Sequence, residues 1–103
     1  MVTVIFRMRI KDGKESEAVE ALTKMAAAVE ANEPGTAAYA CHRMVDDPSQ
    51  VVFFEVYADD AALQNHTQTP HMGEFRAAFG ALFDPSTVEI ERLERIGGYA
   101  RAG

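Results

Sequence analysis

The sequence predicts an α+β fold in which four strands and two helices alternate in the order β-α-β-β-α-β. Two observations lead there. Stretches of period-two alternation at the start and middle of the chain are separated by stretches with apolar residues at helical spacing, and clusters rich in Pro, Gly, Asp and Ser fall between them.

Residues 1–11 place Val2, Val4, Phe6, Met8 and Ile10 on one face and Thr3, Ile5, Arg7 and Arg9 on the other, as in a strand. Asp12-Gly13 reads as a turn. Ala18, Leu22, Met25 and Val29 then recur at helical spacing, with Glu15 and Glu17 near the positive end of a helix spanning 14–32. Pro34-Gly35 ends that helix, because proline disfavours helical geometry in the residue before it and glycine readily takes turn conformations. A second strand covers 36–45. Asp46-Asp47-Pro48-Ser49 reads as a loop, and the β-branched and aromatic run 51–58 as the partner of a hairpin.

Asp59 or Asp60 can cap the next helix, which Thr69-Pro70 interrupts. Thr69 as cap, with Pro70 in the first helical position, restarts it so that Met72, Phe75, Phe79 and Leu82 share a face. Asp84-Pro85-Ser86 closes this broken helix, and 87–96 supplies a last strand. Leu93 and Ile96 fall out of phase with Val88 and Ile90, which predicts a bulge near Arg92. The order is the split βαβ arrangement of ferredoxin-like domains, a four-stranded antiparallel sheet with helices on one face, and 1–103 read as one domain.

Strand 51–58 is apolar on both faces, Val51, Phe53 and Tyr57 on one and Val52, Phe54 and Val56 on the other. Such a strand requires cover on both sides. A chain of 103 residues has nothing left to supply the second cover, so a second copy, related by a two-fold axis and packed sheet to sheet, is expected.

The net charge of −6 and the absence of a dense basic run argue against nucleic acid, and no apolar stretch approaches the roughly 20 residues of a membrane helix. The N-terminal alternation does not resemble a secretory signal, so a cytoplasmic location is expected. Cys41 is the only cysteine, which removes internal disulfides and thiolate clusters and leaves a core role.

Asn32-Glu33-Pro34-Gly35-Thr36 with Tyr39, then Phe53-Phe54-Glu55-Val56-Tyr57, Asp60-Ala61-Ala62-Leu63 and His66-Thr67-Gln68-Thr69-Pro70-His71, together resemble the antibiotic biosynthesis monooxygenase domain and its quinol monooxygenase-like branch. The resemblance implies a dimeric α-β barrel with a ligand cleft between sheet and helices in each subunit. It also implies a monooxygenase that oxidises a quinol, phenol or related small aromatic without metal or flavin cofactor. Isomerases and haem-degrading enzymes are similar to it too. Haem degradation is disfavoured, because the first strand lacks the asparagine, and the whole chain the tryptophan, on which that branch relies. An isomerase or lyase on the same scaffold, and a non-catalytic dimeric stress protein that binds a small ligand, are the alternatives.

His66 and His71 flank the helix break and are the candidate proton acceptors, since imidazole titrates near neutrality. Their spacing across a proline lacks the one-face geometry of HExxH, so no metal is expected there. Tyr57 is the third catalytic candidate, a phenol able to orient a substrate oxygen. Phe75, Met72 and Phe79 form an apolar stripe suited either to core or to an aromatic ligand. Glu55 shares a strand face with Tyr57 and is read either as a ligand contact or as a structural ion pair with Arg7, Arg9 or a residue of the second copy. His42 reads as structural. Gly97-Gly98 is no phosphate loop, because no helix follows it.

Overall fold

The computed structural model describes residues 1–101. Its elements run β1 (Val2–Ile10), α1 (Glu15–Asn32), β2 (Thr36–Met44), β3 (Asp47–Tyr57), α2 (Asp60–Thr67), α3 (Pro70–Leu82) and β4 (Phe83–Leu93). All pairings are antiparallel and the sheet order is β2-β3-β1-β4, the ferredoxin-like topology expected from the sequence.

Local chemistry accounts for each helix boundary. Gly13 takes a positive φ of 80°, turning the chain from β1 into α1. No side chain caps the start of α1, so its burial holds it: Ala18, Leu22, Met25 and Val29 are its four buried residues, the same four that the periodicity picks out. Burying Leu22, Met25 and Val29 contributes roughly 1.5–3 kcal/mol each. The Asp59 carboxylate accepts from the Ala62 N–H at 2.8 Å to start α2, and the Thr69 hydroxyl accepts from the Met72 N–H at 3.2 Å to start α3 with Pro70 behind it. Both caps satisfy amides that a helix start leaves unpaired.

Three expectations are corrected. The β2–β3 connection is a turn at Val45 and Asp46 rather than a loop over 46–49, and β3 begins at Asp47. Arg9 clamps Asp47 with hydrogen bonds of 2.7 and 3.2 Å, while Pro48 falls where the β2–β3 register shifts between Arg43 and Met44, a place that tolerates a missing N–H. Likewise β4 starts at Phe83, directly after α3. Asp84-Pro85-Ser86 forms an irregularity inside the strand, and there the Asp84 carboxylate accepts from the Ser86 amide and hydroxyl, and the Thr87 hydroxyl accepts from the Arg9 N–H at 2.9 Å.

The bulge therefore lies opposite Arg7–Arg9 and not near Arg92; pairing from Glu89 to Leu93 is regular, and Leu93 is out of phase because it faces the outer side with Thr3 and Ile5. Pro34-Gly35 forms the turn expected after α1, although the φ of Gly35 is not positive. Its lack of a side chain serves close packing instead: a Cβ there would lie 2.9 Å from the Ala62 side chain on α2.

The main core joins Met8, Ile10, Val51, Phe53 and Phe83 of the sheet to Ala18, Leu22 and Leu82 of the helices, with Phe75, Phe79 and Cys41 packed against it. Burial pushes the Cys41 thiol up to about 12, so it remains neutral. A second cluster, Val2, Val4 and Tyr57 with Ala62 and Leu63, seats α2 on the sheet. Between the two clusters the helices stand off the sheet. No described helix is long and apolar enough to cross a membrane.

Candidate functional site

The gap between the two clusters is a cavity of about 240 Å³. Its floor is the helix-facing side of the sheet, and strand periodicity selects the residues: Val4 and Phe6 of β1, Tyr39 of β2, Phe53 and Glu55 of β3, Ile90 and Arg92 of β4. Leu63, His66 and Thr67 of α2 and Met72 and Phe75 of α3 form its roof. Exposed Ile90, Arg92 and Thr67 mark its opening, where Arg92 pairs with Asp60 at 2.9 Å. The walls are overwhelmingly apolar, so the few polar atoms that reach them stand out.

His66 is one of these. It is 4% exposed, and its ring lies 5.4 Å from those of both Tyr39 and Tyr57. The Nδ1 atom meets both oxygens of Glu33, at 2.9 and 3.0 Å. Glu33 ends α1 just before Pro34 and is 3% exposed. The same carboxylate accepts from the Thr36 hydroxyl at 2.8 Å and from His71 Nε2. Burial pushes the Glu33 carboxyl up, but the hydrogen bonds from His71 and Thr36 and the closeness of His66 outweigh it, so its net displacement is downward and it stays ionised. An ionised carboxylate only accepts, so Nδ1 of His66 carries a proton, and in the neutral ring the lone pair is on Nε2. Nε2 has no partner among the described residues. No described side-chain nitrogen or oxygen is both enclosed and unpartnered, so this atom keeps accessible surface, and the space that His66 lines is the cavity.

Glu55 is the second polar intrusion, at 6% exposed, flanked on the floor by Val4 and Tyr39. Its Oε1 accepts from the Tyr57 hydroxyl. Burial pushes the Glu55 carboxyl up, against the opposing influence of the Tyr57 bond and of His66. The expected ion pair with Arg7 or Arg9 does not form, because those arginines lie on the opposite face of the sheet, Arg7 bound to Glu91 and Arg9 to Asp47. Burial also raises the phenols of Tyr39 and Tyr57, which stay protonated.

Of the residues singled out in the sequence, His66, Glu55, Met72 and Phe75 line the cavity together. His71 does not; it reaches Glu33 from the far side of the helices, beside Lys24 and Met25. Tyr57 is wholly enclosed behind Glu55. Phe79 stacks behind Phe75 at 5.9 Å and against Phe83 at 5.0 Å. His42 is exposed and bonds the Val52 carbonyl. Sequence reasoning passed over Glu33 and Tyr39 as site residues. A glutamate before a proline looks like helix-end punctuation, and only its burial beside two histidines more than thirty positions away reveals it. Among the described residues no group of three potential ligands could hold a metal ion.

The family model for antibiotic biosynthesis monooxygenases matches residues 1–78. The chain belongs to the antibiotic biosynthesis monooxygenase family. Solved structures agree: one from Bacteroides thetaiotaomicron, bearing the family's name, superposes with a TM-score of 0.89 at 20% identity over 99% of this chain and 95% of that one. Another so named, from Caulobacter crescentus, gives 0.85 at 27% identity over 93% and 90%. An uncharacterized protein of Synechocystis is 31% identical over 93 residues, covering 89% of this chain; the chain spans 63% of that relative's length. The matched residues take in β1, both strands of the hairpin, Glu33, His66 and His71, so the cavity's roof and all of its floor except Ile90 and Arg92 of β4 fall within the family match.

Proposed function

We propose that residues 1–103 act as a single-domain, cytoplasmic, homodimeric monooxygenase that oxidises a quinol, phenol or related small aromatic without a bound cofactor. The observation that carries this reading is the free Nε2 of His66 on an apolar wall, its tautomer fixed by Glu33. The volume supports a compact ligand: 240 Å³ lies below the roughly 300–1,000 Å³ of pockets for drug-sized molecules, while about 150 Å³ suffices for benzene.

In this reading Nε2 takes the proton of a phenolic hydroxyl, and Glu33 stabilises the imidazolium that results. The phenolate, electron-rich and out of water, passes electrons to dioxygen. The substrate supplies four electrons in all; one oxygen atom enters the ring and the other leaves as water. His71 acts through Glu33, which it holds, and Tyr57 through Glu55. Met72 and Phe75 hold the ring, and Phe79 backs Phe75.

Oxygen uptake with a panel of quinols and phenols tests the proposal. His66→Gln should lower turnover of the responding substrate by about 10²–10⁴-fold, the usual worth of a general base. Undiminished uptake in that variant would sink the assignment of His66, and turnover under strict anaerobiosis would point to an isomerase instead.

The homodimer rests on the outer sheet face. Ile5, Val52 and Phe54 lie there only half-buried, and Leu93 on the same face is 48% exposed. A second copy laid on this face would cover them.

A further inference from the structure

Glu55 is an unusual residue to find on the floor of an apolar cavity. A carboxyl group removed from water is costly unless its oxygens are satisfied. One oxygen is satisfied, by the Tyr57 hydroxyl, which is itself enclosed and has no other role visible in the fold. The other, Oε2, has no partner among the described residues. It is not enclosed either, and the space that Glu55 lines is the cavity. Arg7 and Arg9 are on the far side of the sheet, and Arg92, on the cavity's floor, pairs with Asp60.

His66 stands across from it. Its ring packs at 5.4 Å on Tyr57, the residue that holds Glu55, so imidazole and carboxyl border the same small volume, one from the roof and one from the floor. Both free atoms, Nε2 and Oε2, are acceptors when the imidazole is neutral and Glu55 is ionised. A ligand that brought only one hydrogen-bond donor would leave the other acceptor unpaired in a dry site, and that mismatch is where binding sites discriminate most strongly.

We propose that Glu55 is a specificity-determining residue, its free oxygen binding a second donor of the ligand while His66 binds the first, so that the cavity selects one-ring aromatics with two hydroxyl groups over those with one. This rests on the reading of the cavity as a phenol site, and it adds a residue and a selection rule to it.

The test is binding, not turnover. Each of the three benzenediols and its matching methylphenol, in which a methyl group of similar size replaces the second hydroxyl, would be titrated calorimetrically without oxygen at mildly alkaline pH. The wild type should bind the best benzenediol about ten- to a hundredfold more tightly than its methylphenol. Glu55→Met combined with Tyr57→Phe removes both polar groups at similar volume, and there the ratio should fall to about one. Glu55→Gln, which keeps a partner for Tyr57, should reduce the ratio several-fold and serves if the double variant does not fold. A wild-type ratio near one, or an undiminished ratio in the variants, overturns the proposal. Selective binding without oxygen uptake overturns the oxygenase reading and leaves this inference standing; failure of every compound to bind overturns both.

Discussion

Glu33 occupies the last position before Pro34, and both of its carboxylate oxygens are committed to side chains distant in sequence or turned back from β2. Replacing it with Gln would put an amide N–H₂ against imidazole N–H groups and lose bonds to a charged acceptor. Glu33→Gln should cost about 1–3 kcal/mol of stability at neutral pH, read by denaturant unfolding. The pH dependence has a definite sign. A carboxyl lowered in the folded state contributes stability above its ordinary value of 4.5, and that contribution is lost as pH falls through the lower folded value. The gap between wild type and variant should therefore close on acidification below about 4.5, and a gap that widens there would contradict the ionised Glu33. His66 was legible in the sequence because histidine is rare and titrates near neutrality. Glu33 was not, because one glutamate among many carries no mark of burial, and burial is decided by where α2 lands.

At the scale of elements, α2 lands where it does because Gly35 allows it. The turn after α1 carries Glu33 toward His66, and the bare Cα of Gly35 lets Ala62 approach to where a Cβ would lie only 2.9 Å from its side chain; the Gly35 carbonyl also accepts from the Ala58 N–H at 2.8 Å. Gly35→Ala should destabilise the fold by about 1–3 kcal/mol through overpacking, and should weaken binding of phenols as α2 shifts away. A thermal midpoint and affinity equal to wild type would show that the turn has slack. The helices and their caps were readable from period and local chemistry because both depend on neighbours in sequence. The starts of β3 and β4 were not. Asp47-Pro48 and Asp84-Pro85-Ser86 carry turn-forming residues, yet Arg9 of β1 reaches both segments, binding the Asp47 carboxylate through its guanidinium and the Thr87 hydroxyl through its amide. Tertiary partners override the local signal there.

For the whole molecule, the doubly apolar β3 remains the guide. Its inner residues Val51, Phe53 and Tyr57 are buried by the helices of the same chain, whereas Val52 and Phe54 are only partly covered. Introducing a charge at the centre of the outer face, Phe54→Lys, should convert a dimer to a monomer in light scattering while leaving the helical circular dichroism unchanged. A monomeric wild type would remove the case for the second copy. The β-α-β-β-α-β order was fully legible, since it needs only the alternation of periods, whereas the cavity was not, since a void is defined by what several elements together fail to fill.

The Val45–Asp46 turn has a practical use. Val45 is 92% exposed, and with β3 extended between them, Asp47 and Glu55 are separated by eight residues, or about 26 Å of strand. An affinity tag, a fluorophore or a short peptide grafted into that hairpin would sit at the opposite end of β3 from Glu55 and Tyr57, so the tip is a natural attachment point for instrumenting the protein without touching the cavity.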